Sequence, residues 1–126
     1  CVVGVHARRG DYSTYLDGIH YHSWESYLNW VNQTKEVIEK SCKQNVGIVI
    51  CSDEFPPSVI QKQSVHFSLS KELMVDIHLL SLCDYNVGPP SSFGTWVSWF
   101  GKVPRIIVYN NTEITSLEQF KVCTTC

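Results

Sequence analysis

The stretch Cys1-Val2-Val3-Gly4-Val5-His6-Ala7-Arg8-Arg9-Gly10-Asp11-Tyr12 decides the fold. Its first five residues are continuously apolar and rich in β-branched side chains, the pattern of a strand buried on both faces of a parallel sheet. Four ionisable side chains, His6, Arg8, Arg9 and Asp11, follow at once. In an open α/β sheet a ligand lies in the crevice beyond the carboxyl ends of the strands, so charge clustered here reads as a site. A guanidinium offers a planar fork of donors that fits phosphate oxygens, and it stays charged when partly desolvated. Adjacent strand residues point to opposite sides of the backbone, so Arg8 and Arg9 cannot do the same job. One is expected to meet the ligand and the other to brace the loop. Two other readings compete. Either arginine could simply pair with Asp11, or Arg9-Gly10-Asp11 could be an adhesion tripeptide; the latter needs an exposed loop tip, which a place directly behind a buried strand disfavours.

Working outward, the same grammar repeats. Residues 13–22 form a polar, aromatic-rich connection with an Asp17-Gly18 turn. His20 and His22 belong to an ordinary loop in this reading, because no third metal ligand is spaced to join them. Ser23 as N-cap and Glu25 in the first turn open a helix to about Lys43. Trp24, Tyr27, Leu28, Val31, Ile38 and Cys42 recur at helical spacing as its core face, and Glu36/Lys40 and Glu39/Lys43 are i,i+4 pairs on its wet face. Residues 46–51 are the second buried strand, and Ser52-Asp53-Glu54 again places charge where it ends. Pro56-Pro57 breaks the chain before a short helix over 58–63, and Val65-His66-Phe67 is a brief third strand.

Ser70 is expected to cap the next helix, 71–83, which is apolar nearly all round. Asp76 interrupts it, on a face shared with Leu73, Leu80 and Cys83. A carboxylate in that company needs partners, since burying one unpaired is costly. Either this part of the helix reaches solvent, or Asp76 accepts hydrogen bonds from the N–H groups of a ligand such as a guanine base. Residues 85–88 are a fourth strand, ended by Pro89-Pro90. Ser91-Ser92 then opens a helix over 93–100 whose free N–H groups and dipole favour an anion, with the serines as phosphate contacts or merely as caps. Residues 105–109 are the fifth strand. The tail, 110–126, is polar with at most a short helix; Cys123-Thr124-Thr125-Cys126 suits a tail disulfide better than redox catalysis.

Five strands alternating with helices predict an α/β protein with a doubly wound parallel sheet. The loops carrying Arg8, Asp53, residues 66–70 and Ser91 all fall on one edge, where a nucleotide-like anion is expected to sit. At 126 residues, 44% hydrophobic and 17% charged, the chain can bury a single core. A formal net charge of −2 offers no general attraction to nucleic acid or anionic lipid, and no window is apolar enough for a membrane span. The chain begins with Cys inside a strand and so reads as a piece of something longer. Six cysteines and two glycosylation acceptor patterns, at Asn32 and Asn110, modestly favour a secretory lumen over cytoplasm.

Three motifs together resemble one family. His6-Ala7-Arg8-Arg9-Gly10-Asp11 resembles the His-x-Arg-Arg-x-Asp signature of GDP-fucose-dependent fucosyltransferases. Asp76 to Cys83, followed by Ser91-Ser92-Phe93-Gly94-Thr95-Trp96, is similar to the second signature of the alpha-1,2 type, and Ser52-Asp53-Glu54 lies between them as the family's Ser-Asp-Asp/Glu does. The pattern departs at Gly94-Thr95, where the family commonly continues with a Trp pair, and at His20-Tyr21-His22, where Tyr-Tyr is usual.

The resemblance implies the GDP-sugar-binding, Rossmann-like half of a GT-B glycosyltransferase, spanning 1–109 and followed by the Cys-containing tail 110–126. The activity implied is inverting transfer of fucose from GDP-fucose to the 2-hydroxyl of a terminal galactoside, without metal or other cofactor. Arg8 would be catalytic and hold the β-phosphate. His6 and Asp76 would meet the guanine side, Ser91, Ser92 and Phe93 would lie at the pyrophosphate, and Asp53 would sit near the nucleotide. Arg9 and Asp11 would brace the loop. The implied partners are GDP-fucose and a galactoside acceptor glycan, and the implied place is the Golgi lumen, as part of a type II membrane protein, or else a bacterial cytoplasm. Alternatives are an alpha-1,6- or protein-O-fucosyltransferase donor domain, and a non-catalytic sugar-nucleotide-binding module. No side chain stands out as general base, and whether the chain acts alone is left open.

Overall fold

The opening apolar run becomes the centre of the molecule. In the computed structural model, which describes residues 1–58, 65–68 and 70–124, it forms β1 (Val2–Ala7). After it come α1 (Trp24–Cys42), β2 (Gly47–Ser52), β3 (Val65–Ser68), α2 (Leu73–Ser81), β4 (Tyr85–Gly88), α3 (Ser92–Gly101) and β5 (Arg105–Ile107). The described strands make one sheet in the order β3-β2-β1-β4-β5, with every neighbouring pair parallel. Strand order therefore reverses between β1 and β4, as in Rossmann-like sheets, and the crevice for a ligand opens beside the end of β1.

Alternation along β1 sorts its side chains onto two faces. Val3, Val5 and Ala7 are fully buried in a core with Trp24, Tyr27, Trp30, Val31 and Ile38 of α1. Gly4 and His6 face the other way, toward α2 and α3. A side chain at Gly4 would run into Asn86 Oδ1, Leu80 and Cys83, so the missing Cβ lets α2 and β4 close on the sheet. A second, smaller core there joins Cys51, Leu80, Phe93 and Val97. The tail is built into the molecule as well: Ile114 and Phe120 belong to the first core, and Lys121 bridges Arg105 in antiparallel fashion.

Helix α1 follows its expected pattern closely. The Ser23 hydroxyl accepts the Ser26 N–H, and the helix ends at Lys43 in the left-handed conformation. Lys40 donates to Glu36 at 2.8 Å, as expected. Lys43 is withdrawn from Glu39 by its capping conformation, and Glu39 pairs instead with Lys35 at 4.0 Å. Cys42 is exposed; Trp30 and Thr34 fill the buried face in its place.

Helix α2 departs further. It runs from Leu73 to Ser81, its N-cap is Glu72, and Ser70 instead accepts the Glu72 N–H and donates to Asp76. Leu73, Met74, Val75 and Leu82 are exposed, so an all-apolar composition does not here mean burial on every side. β5 is shorter than expected, ending at Ile107. The helix expected over 58–63 falls almost wholly on 59–64, outside the described residues, as does Cys126 of the expected tail disulfide. The five described cysteines are free.

Candidate functional site

Beyond Ala7 the alternation continues and separates the two arginines. Arg9 turns to the α1 side and is buried. Its Nη1 donates to the His22 carbonyl at 2.6 Å, its Nη2 to the Tyr21 hydroxyl at 2.8 Å and its Nε to Glu54 at 3.3 Å. The guanidinium also lies over the Tyr21 and Trp24 rings, 4.7 and 5.2 Å from their centroids. With every edge engaged, Arg9 braces the loop, and the tripeptide Arg9-Gly10-Asp11 is not displayed as an adhesion motif would be.

Arg8 turns to the opposite side, into a cleft of about 330 Å³ at the carboxyl edge of the sheet. Asp11 holds it through two bonds of 2.9 Å, from Nε to Oδ1 and from Nη2 to Oδ2. Both partners feel this pair: Asp11 raises the Arg8 pKa and Arg8 lowers that of Asp11. The pair is also exposed, which limits its worth to stability.

Asp53, at the end of β2, braces the same loop from across the sheet, while Asp11 ties down Arg8 within it. The Asp53 carboxylate accepts the Arg9 N–H at 2.9 Å and the Gly10 N–H at 2.8 Å. Gly10 is required for this, because a Cβ there would stand 2.6 Å from Asp53 Oδ2. Beside it, the Ser52 hydroxyl donates to the Ala7 carbonyl at 2.8 Å and ties β2 to β1 at the mouth of the cleft.

His6 forms the cleft floor. Its ring stacks on Phe93, the second residue of α3, with centroids 4.0 Å apart and planes 27° from parallel. Its Nδ1 is buried with no hydrogen-bond partner among the described residues. Burial first, then the nearby charges of Arg8 and Arg105, push its pKa down to about 3, so the imidazole is neutral at physiological pH. On the α2 side stands Asp76, half-buried, with Oδ1 accepting from Ser68 at 2.6 Å and from Ser70 at 3.0 Å. Lys71 and Leu73 complete that wall.

The cleft thus brings together His6, Arg8, Asp11, Asp53, Asp76 and Phe93. Ser91 and Ser92 do not line it. Ser91 Oγ accepts the Gly94 N–H at 3.0 Å as the N-cap of α3, and Ser92 is exposed. Lys71 was not singled out from the sequence, although a cation between a strand end and a helix start, on the loaded edge, was the available signal. Tyr21 and His22 were missed as the cage of Arg9; His22 is buried, its ring edge-on to Tyr27 and Trp30. Arg105, the lone charge at the head of an apolar strand, reaches beneath the first turn of α3. Its Nη2 donates to the Pro89 carbonyl at 2.6 Å and its Nη1 to Thr95 Oγ1 at 3.4 Å.

No group of three or more His, Cys, Asp or Glu side chains suited to a metal occurs among the described residues. Their helices include none long and apolar enough to cross a membrane. Fold and cleft together define the class: an α/β protein with a Rossmann-like parallel sheet and a polar crevice at the point where strand order reverses. No protein-family model matches the chain, and no curated protein matches it in sequence.

Proposed function

We propose that the chain is the donor-binding half of a GT-B fucosyltransferase of the alpha-1,2 type, taking fucose from GDP-fucose to the 2-hydroxyl of a terminal galactoside. The observation that carries this reading is the cleft itself, which puts Arg8, the stacked His6–Phe93 pair and Asp76 around one space at the carboxyl edge of the sheet. These are the residues of the two family-like motifs that should meet the β-phosphate and the guanine.

In the reaction, the bond between fucose C1 and the β-phosphate oxygen breaks, the oxygen of the galactoside 2-hydroxyl bonds to C1 from the opposite face, which inverts the centre, and the hydroxyl proton is released to solvent. Negative charge grows on the departing diphosphate. Asp11 uses Nε and Nη2 of Arg8, which leaves Nη1 for a phosphate oxygen, and a fixed cation there stabilises the charge as it develops. Asp76, held by Ser68 and Ser70, accepts from guanine N–H groups and rejects uracil, which lacks that pair of donors. This chemistry asks for no metal. On this reading the chain works in the Golgi lumen, where the exposed Asn32 on α1 is available to glycosylation, while the side chain of exposed Asn110 bonds His22 Nδ1 at 3.1 Å.

One observation favours the non-catalytic alternative, a sugar-nucleotide-binding module. Arg8, the cation that would meet the charge growing on the diphosphate, is already paired with Asp11 through two bonds of 2.9 Å, which weakens it for transfer while the base-binding side of the cleft stands intact. Donor turnover separates the two readings. With GDP-fucose, release of free fucose or transfer to a lactoside should exceed the rate without protein, and Arg8→Ala should abolish the excess. GDP-fucose binding with no turnover, even with the acceptor-binding half and a galactoside supplied, would leave only the binding module.

A further inference from the structure

We infer that Arg105 is a positioning residue for the anion of this cleft, acting through the first turn of α3 and through a buried charge that no carboxylate among the described residues neutralises. The inference rests on the donor-site reading and adds a residue that neither motif contains.

Arg105 is only 5% exposed, yet its bonded partners among the described residues are the Pro89 carbonyl, the Thr95 hydroxyl and the Cys123 thiol, none of them a carboxylate. Among the described residues the ionisable groups that act on it most are Cys123, Tyr12 and Tyr109. Burying a guanidinium without a counter-charge is costly, and burial indeed lowers its pKa. The cost is increased by the place chosen. The guanidinium lies flat against Gly94, where any Cβ would overlap it, and so beside the amino end of α3, the positive end of the helix dipole. A cation is unfavourable there in the free protein, and an anion near the same helix end relieves it. The segment Arg105 grips is also the one that closes the cleft. Pro89 follows β4 directly, the neighbouring Pro90 carbonyl accepts from Tyr12 of the Arg8 loop at 2.9 Å, and Phe93 stacks on His6. Arg9 thus holds the loop on one side of the crevice and Arg105 the loop on the other.

The test compares GDP with guanosine, which shares the base and lacks the diphosphate. In the unmodified chain GDP should bind more tightly than guanosine. Arg105→Met should cut that GDP-to-guanosine preference by about tenfold, the order expected for losing one partly screened charge, while guanosine affinity holds. Arg105→Lys should restore most of the preference. A purely structural role would lower both affinities together. If Arg105→Met lacks a cooperative thermal transition, Gly94→Ala, which displaces the guanidinium without removing it, serves instead and should lower the preference in the same direction. An unchanged preference in a folded variant, with GDP still bound by the unmodified chain, overturns the role of Arg105 alone. No GDP binding by the unmodified chain overturns the donor-site reading and this inference with it.

Discussion

The two neighbouring arginines do different work because a strand alternates, and this separation can be measured residue by residue. Arg9 is buried with each of its three guanidinium nitrogens engaged, so Arg9→Met should cost about 2–4 kcal/mol, as loss of a buried charged hydrogen-bonding group does. Arg8 is paired in the open, so Arg8→Ala should leave the denaturation midpoint almost unchanged while GDP affinity falls by tenfold or more. Equal destabilisation by both would contradict the division of labour. Asp53→Ala should cost about 1–3 kcal/mol in chemical denaturation, because it strands the Arg9 and Gly10 N–H groups. The opposite sides taken by Arg8 and Arg9 were legible in the sequence, since period-two geometry needs only the position of the strand. The hold of Asp53 on this loop was not. Which carboxylate reaches a pair of backbone N–H groups depends on how β2 lies against β1, and that register is a long-range fact linking residues 44 positions apart.

At the level of elements, β1, α1, β4 and the start of α3 could be read because their signals are local. A β-branched run, a Ser cap and helical spacing act over a few residues. Helix α2 was harder. Its composition is apolar all round, but burial depends on what the fold sets against it, and it meets β2 and α3 while Met74 and Leu82 stay exposed. Ser70 looked like a cap and serves Asp76 instead, since the chain passes through a left-handed Lys71 and starts the helix later. Close approach is what ties these elements together. Gly4→Ala should therefore destabilise by about 1–3 kcal/mol, because its methyl would meet Asn86 and Leu80 at under 3 Å. A Gly4→Ala protein with an unchanged melting temperature would mean that α2 is held less tightly against β1.

Across the whole molecule, two buried imidazoles set the response to acid. His6 has its pKa pushed down to about 3 from an ordinary 6.5, and burial lowers that of His22 as well. Between those values the unfolded chain binds a proton that folded His6 refuses. Stability is therefore full above about pH 6.5 and falls as pH drops toward 3, by up to about 1.4 kcal/mol per pH unit from His6 alone. Denaturation midpoints measured at pH 7 and pH 5 should show this loss, and His6→Gln should make it shallower. An unchanged pH response in His6→Gln would place the buried charge cost elsewhere.

The central claim is that the crevice beside β1 takes a guanine nucleotide diphosphate. Calorimetric titration of the folded chain with GDP, with UDP as control and no added metal, tests it most directly. Saturable GDP binding, with no UDP heat at the same concentrations and with the GDP heat lost in Arg8→Ala, is the predicted result. A cooperatively melting chain that binds neither nucleotide, or both equally, would contradict it.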